Sequence, residues 1–197
     1  MPNNLKIGVL AFQGSVEEHL QAVSRLPDVQ AVPVKTLDAL NQIDALIIPG
    51  GESTTIAKLL TIFGLIEPLR QRIENGMPVW GTCAGLILLA KEIEGETPHL
   101  GVMNITVRRN AYGRQIDSFT AHAIIPAMSE EPLSLVFIRA PWIAHVGEKA
   151  EVLCAIDGHI VAAKEQNMLA TSFHPELTGN LTVLRYFVDQ MVRPACL

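Results

Sequence analysis

The hydrophobic positions of this chain fall into short apolar runs separated by amphipathic stretches. Lys6-Ile7-Gly8-Val9-Leu10-Ala11 is apolar almost throughout, as a strand buried on both faces is. Gln13-Gly14 ends it. Ser15-Val16-Glu17-Glu18 then has the form of a capping box, with Ser15 as N-cap and Glu18 three residues on. The helix it opens runs to about Arg25 and buries Val16, Leu20 and Val23, with His19 exposed. Val29 to Val34 predicts a second strand, which Pro33 assigns to an edge. Ala45-Leu46-Ile47-Ile48 predicts a third strand. A helical region follows from Thr55 to Asn75, in two pieces broken near Gly64 and closed by Gly76. Then comes Pro78-Val79-Trp80-Gly81-Thr82-Cys83-Ala84-Gly85-Leu86-Ile87-Leu88-Leu89-Ala90, a buried strand, a tight turn and an apolar helix.

This alternation of strand and helix predicts an open α/β fold, a mostly parallel sheet with helices on both faces. From about Gly101 to Glu165 the helical period disappears. Ile105–Val107, Ser118–Ile125, Leu135–Ile138, Val152–Ile156 and Ile160–Ala163 are strand candidates, so antiparallel strands are added in the second half. Gly113 marks a turn and Asp157-Gly158 a hairpin. Leu181, Leu184, Phe187 and Val188 line one face of a final helix over Leu181–Val192. With no internal repeat, low-complexity tract or linker, residues 1–197 are expected to form one domain.

Composition narrows the class. The chain has 197 residues, 49% of them hydrophobic and 18% charged, which is globular. A net charge of −5 without a Lys/Arg cluster argues against a nucleic-acid partner. Met1 to Lys6 lacks the apolar core of a signal peptide, and no apolar run is long enough to span a bilayer. Three widely spaced cysteines, Cys83, Cys154 and Cys196, suggest neither a disulfide framework nor a metal site. They fit a reducing, cytoplasmic setting.

The candidate chemistry lies where strands end. Cys83 sits at the tip of a strand-to-helix turn whose flanking Gly81 and Gly85 remove Cβ atoms from a tight bend. Orphan N–H groups at the helix start favour a thiolate there. Cys83 is thus a candidate nucleophile, with a buried structural cysteine as the alternative. Gly50-Gly51, between strand and helix, frees backbone N–H groups to face a negative charge, or is an ordinary βα turn. Of six histidines, apart from His159 in the Asp157-Gly158-His159 turn, His174 is the one with a well-placed acid. In an extended His174-Pro175-Glu176 the first and third side chains share a side, so Glu176 could hold one ring nitrogen and leave the other for Cys83. The alternative is a turn histidine with a solvated Glu. In a parallel open sheet, the Gln13-Gly14, Gly50-Gly51 and Cys83 loops all leave carboxyl ends, where ligands bind.

Gly81-Thr82-Cys83-Ala84-Gly85 with His174-Pro175-Glu176 resembles the class I (triad) glutamine amidotransferases, which have a flavodoxin-like α/β core. A narrower resemblance is to the glutaminase subunits of pyridoxal 5′-phosphate synthases. It rests on Ile7–Gly14, Pro49–Thr55, His99-Leu100-Gly101, Arg108–Gln115, Phe137–Pro141 and Thr171–Glu176, in order along the chain. The resemblance implies hydrolysis of L-glutamine to glutamate and ammonia by a Cys83-His174-Glu176 triad, without a cofactor or metal. It implies an oxyanion site at Gly50 and Gly51, and glutamine contacts at Gly51, Glu52, Ser53, Arg109, Ile138 and Arg139. Arginine suits the substrate α-carboxylate through its planar fork, although Arg109 and Arg139 could equally be solvated strand charges. It also implies ammonia transfer to a separate (β/α)₈-barrel synthase subunit in a large heteromeric complex, whose docking acts through Gln13. Phe12, Ser15–Glu18 and Thr120-Ala121-His122 depart from the family's usual forms. The rival readings are the glutaminase subunit of imidazole glycerol phosphate synthase, a non-catalytic protein on the same fold, and a cysteine peptidase or related hydrolase.

Overall fold

The computed structural model describes residues 4–109 and 118–196. The first half alternates as its pattern predicts: β1 (Leu5–Leu10), α1 (Val16–Ser24), β2 (Val29–Val34), α2 (Leu37–Asn41), β3 (Ala45–Ile48), α3 (Ser53–Ile62), α4 (Ile66–Glu74), β4 (Val79–Thr82) and α5 (Ala84–Leu89). Strands dominate next: β5 (Ala90–Ile93), β6 (Met103–Arg108), β7 (Ser118–Ile125), β8 (Ser129–Ile138), β9 (Trp142–Val146), β10 (Glu151–Ile156), β11 (His159–Glu165) and β12 (Met168–Thr171). A 3₁₀ turn at Pro175–Leu177 follows, then α6 (Thr182–Tyr186), which continues as a π-helix over Phe187–Val192.

Strands β2-β1-β3-β4-β12 lie side by side, all parallel. This is the flavodoxin-like order, with β2 at an edge, where Pro33 costs no central ladder bond. Beyond β12 the sheet continues through β11, β9, β6 and β5. The β12–β11, β11–β9 and β9–β6 pairs are antiparallel, and β10 pairs antiparallel with β11. Strands β7 and β8 form a separate antiparallel hairpin.

The central strands feed two cores, one on each face. On β3, Leu46 and Ile48 join a cluster with Ile56, Leu60, Leu69, Ile73 and Leu86, from α3, α4 and α5. Ala45 and Ile47 join Val23 of α1, Trp80, Phe173, Phe187 and Val188 on the other. Strict alternation on a strand that is apolar throughout is what burial on both faces requires.

Three elements were not anticipated. In α2, Thr36 caps the helix through its side chain, which accepts from the Ala39 N–H. Strand β5 begins directly after α5, because Ala90 turns extended at φ −60°, ψ 136°. Strand β9 shows little burial periodicity, so its apolar pattern carried no clear signal. The Asp157-Gly158 hairpin joins β10 to β11 as expected, both residues having positive φ (49° and 81°). Asn110 to Gln115 and the Gly113 turn lie outside the described residues.

Candidate functional site

The crevice of a parallel open sheet forms at the carboxyl ends of its strands, where the strand order reverses. Here the order reverses between β1 and β3. The loops leaving β1, β3, β4 and β12 carry Gln13, Gly50-Gly51, Cys83 and His174 respectively. They enclose a cleft of about 290 Å³. Gln13, Gly50, Gly51, Glu52, Ser53, Cys83, Arg109, Ile138, Arg139 and His174 all line it. Glu176 stands behind His174, its side chain 1% exposed.

Cys83 occupies the elbow at φ 50°, ψ −100°, a conformation that costs a non-glycine residue about 1–3 kcal/mol. Glycines close the bend. A Cβ on Gly85 would stand 2.1 Å from the Ile48 carbonyl oxygen, and one on Gly81 would stand 2.5 Å from the Gly85 backbone. The Cys83 N–H donates to the Thr171 carbonyl at 2.8 Å, tying the elbow to β12. Its sulfur lies 3.9 Å from the Ile138 carbonyl oxygen. Helix α5 has six residues, shorter than its apolar run suggests, and the Cys83 side chain makes no capping bond to it.

His174 is fixed by its own N–H, which donates to the Val136 carbonyl of β8 at 2.8 Å. Its Nδ1 lies 2.7 Å from Glu176 Oε1. The route to that contact differs from expectation. The segment is not extended: β12 ends at Thr171, and Pro175 opens a 3₁₀ turn. Proline's fixed φ and missing N–H suit the first position of such a turn, which folds Glu176 back onto the imidazole. Burial lowers the His174 pKa. Hydrogen bonds to Cys83 and Glu176, with the charges of both, outweigh burial and push it up to about 10. Glu176 is shifted the other way. Burial raises its pKa, but the hydrogen bond from His174, the nearby His19 and His174 rings and the Ser15 hydroxyl bring it below the ordinary carboxylate value.

Two residues of α1 and its approach do what the sequence did not suggest. Ser15 precedes α1, but its side chain makes no capping bond. Its Oγ donates instead to Glu176 Oε1 at 2.7 Å. A charge-assisted bond to a buried carboxylate outweighs a neutral cap. His19, expected to be exposed, is 1% exposed. It packs edge-on against Trp80, centroids 5.7 Å apart. Its place between Val16 and Val23 on the helix stripe was the available signal, since residues three and four apart share a face.

The glycine loop is held against both neighbours. A Cβ on Gly50 would lie 2.3 Å from His174 Cε1. The Ser15 N–H donates to the Gly50 carbonyl at 3.0 Å, and the Glu52 N–H donates to Gln13 Oε1 at 2.7 Å. Ser53 Oγ is buried, with no hydrogen-bond partner among the described residues. The two arginines differ. Arg109 bridges Glu52 Oε1 (2.9 Å) and Glu96 Oε2 (2.7 Å). Exposed Arg139, at φ 43°, has no ion-pair partner among the described residues. No group of three or more His, Cys, Asp or Glu there is placed to hold a metal ion, and no helix is long and apolar enough to cross a membrane.

The family model of the SNO glutamine amidotransferases matches residues 9–193. The chain belongs to that family. It is 54% identical over 185 residues to the pyridoxal 5′-phosphate synthase subunit PdxT of Clostridium beijerinckii, covering 93% of this chain and 97% of that one. The subunit of the same name from Carboxydothermus hydrogenoformans is 52% identical over 190 residues, covering 96% and 99%. A crystal structure described as a glutamine amidotransferase superposes with a TM-score of 0.88 at 43% identity, covering 97% of this chain and 99% of that one. Thermotoga maritima PurLQS shares the fold alone, with a TM-score of 0.69 at 12% identity.

Proposed function

We propose that this SNO-family chain hydrolyses the side-chain amide of L-glutamine to L-glutamate and ammonia, as the glutaminase component of pyridoxal 5′-phosphate synthase. The observation that carries the reading is that Cys83 and His174 line one cleft while the imidazole is backed by the buried Glu176 carboxylate at 2.7 Å. Glu176 holds Nδ1 protonated and leaves Nε2 to serve the sulfur.

The Cys83 thiolate attacks the amide carbon. The resulting oxyanion is received by the N–H groups of Gly51 and of Ala84, next to the nucleophile, with Gly50 shaping the loop. Removing one such donor costs about 3 kcal/mol of transition-state stabilisation. The His174 imidazolium gives its proton to the departing nitrogen, and ammonia leaves a Cys83 thioester. Water then attacks the thioester. His174, now neutral, takes a proton from it, and collapse releases glutamate and restores the thiolate–imidazolium pair.

The cleft also accounts for choice of substrate. Glutamine carries an α-carboxylate and an α-ammonium beyond its amide. Of the two arginines lining the cleft, Arg109 is paired and Arg139 has no ion-pair partner among the described residues, so Arg139 takes the α-carboxylate, beside Ile138. Glu52 takes the α-ammonium, with Arg109 holding Glu52 in place and Ser53 Oγ offered to the ligand.

The ammonia passes to a separate synthase subunit, a (β/α)₈ barrel, within a large heteromeric complex. Gln13 is the residue through which docking completes the oxyanion site, since its side chain already accepts from the N–H that follows Gly51. Three free cysteines accord with work in the cytoplasm. The test is a glutaminase assay of the intact chain and of Cys83→Ala, each with and without the synthase subunit. Activity is expected only for the intact chain with its partner. Undiminished activity of Cys83→Ala would remove the triad assignment, and equal activity without the partner would remove the role given to docking.

A further inference from the structure

Glu176 uses its two oxygens unequally. Oε1 receives two bonds of 2.7 Å, from Ser15 Oγ and from His174 Nδ1. Oε2 is buried and has no hydrogen-bond partner among the described residues. His19 Nε2, a group able to supply one, lies 3.5 Å from it. The same nitrogen lies 3.2 Å from the Thr82 hydroxyl, on the residue before Cys83. His19 therefore sits between the acid of the triad and the strand that carries its nucleophile.

The tautomer follows from what surrounds Nε2. An unprotonated Nε2 would turn its lone pair toward a carboxylate oxygen in a buried site, which is repulsive. A protonated Nε2 donates toward Oε2 and accepts nothing it cannot satisfy. Burial, first, and then the charge of His174 disfavour the imidazolium, while Glu176 and Glu18 favour it; the balance lies below the ordinary histidine value. A neutral ring carrying its proton on Nε2 is what remains.

A carboxylate held through one oxygen can rotate about its last torsion, which is broad and two-fold. A donor on each oxygen removes that freedom. We propose that Ser15 and His19 are positioning residues for the triad acid: Ser15 Oγ fixes Oε1 and the Nε2–H of neutral His19 faces Oε2, so that Glu176 presents a fixed oxygen to His174. This rests on the triad reading given above. It adds that the start of α1, which follows directly on the Gln13-Gly14 loop, orients the triad.

The assays use the complex with its synthase subunit. Ser15→Ala and His19→Leu are each expected to lower kcat about tenfold with KM unchanged, and to move the alkaline limb of the pH–rate profile downward as His174 loses support. His19→Gln, whose amide nitrogen can occupy the place of Nε2, is expected to recover kcat to within about threefold of the parent. Ser15 makes no capping bond, so Ser15→Ala tests the proposal even if His19→Leu does not fold. Nitrogen-15 NMR of the unaltered chain provides a reading without substitution: the His19 ring is expected neutral and protonated on Nε2 at neutral pH. Unchanged kcat and pH profile in folded Ser15→Ala would overturn the proposal, as would a His19 ring protonated only on Nδ1, or a loss of thermal stability with kcat intact. If Cys83→Ala is inactive in the same complex while these variants behave as the parent, this inference falls and the triad reading stands.

Discussion

Gly50→Ala separates catalytic geometry from folding. The new methyl carbon would stand 2.3 Å from His174 Cε1, 3.0 Å from Nδ1 and 3.3 Å from Nε2. An ordinary contact begins near 3.4 Å, so ring and loop must part by about 1 Å. The ring cannot retreat freely: its Nδ1 is bonded to Glu176 at 2.7 Å and its backbone to Val136 at 2.8 Å. The loop is pinned as well, through the Gly50 carbonyl and the Ser15 N–H. A displacement of about 1 Å between reacting groups costs roughly 10²-fold in rate, or about 2.7 kcal/mol of barrier. Gly50 does not occupy the left-handed region, so alanine meets no backbone penalty of its own and the protein should fold. The expected result is a fall in kcat of about 10²-fold in the assembled synthase, with KM changed far less and melting lowered by no more than a few degrees. Parent-like kcat would refute the claim that Gly50 sets the approach of His174. A collapse of melting with proportionate kcat per folded molecule would refute it equally.

Four further outcomes follow from the same geometry. His174 should stay protonated through neutral pH and titrate near 10 by NMR. A group raised on folding contributes stability that is fully present below its unfolded pKa of about 6.5 and lost as pH rises through the folded value, so melting should decline on the alkaline side toward pH 10. Glu176→Gln removes the carboxylate that supports that shift, and should both lower the His174 pKa and reduce kcat by about 10²-fold or more; an unchanged titration would count against the pairing. Arg139→Ala should raise KM for glutamine by about ten- to a hundredfold with kcat largely kept, in steady-state assays, as expected of a charge-assisted bond to the α-carboxylate. Arg109→Ala should act more weakly and through Glu52, whose ion pair it loses; a larger KM effect for Arg109 than for Arg139 would reverse the assignment.

The sheet and the cleft were legible for a physical reason. A parallel strand buried on both faces is apolar throughout, and such runs at residues 6–11, 45–48 and 79–80 leave little choice of fold. Once those strands are parallel, their loops must gather at one end, and Gln13, Gly50, Cys83 and His174 gather with them. The second half was harder to read, because strands with one exposed face and weak periodicity, such as β9, give a mixed pattern. Distant side-chain partners outside the Cys83–His174 pairing were not legible. Ser15 has every local mark of a cap, yet it serves a carboxylate 161 residues away. His19 lies on the apolar stripe of α1, but its partners Trp80 and Thr82 are brought against it only by the fold. The His174–Glu176 contact was anticipated by way of the wrong backbone: an extended segment and a 3₁₀ turn both bring those two side chains together, and only the structure distinguishes them.

Strain in the backbone points to the same place. Five non-glycine residues have positive φ among the described residues: Asp28, Cys83, Arg139, Asp157 and Gln166. Asp28, Asp157 and Gln166 lie in turns between elements, and aspartate tolerates this region better than most residues do. Cys83 and Arg139 also stand between elements, at the β4–α5 elbow and after β8, but these two line the cleft. They are also neighbours, since the Cys83 sulfur faces the carbonyl of Ile138, the residue before Arg139. At about 1–3 kcal/mol each, the two distortions are a substantial fraction of the net stability of a domain, typically about 5–15 kcal/mol. What they achieve is direction: the thiol is turned out of the sheet toward the cleft, and the guanidinium is carried to its rim. The cores on both faces of the sheet offset that cost by fixing β4 and β12 in register from Val79–Met168 to Thr82–Thr171, so the elbow cannot relax without breaking the ladder beneath it.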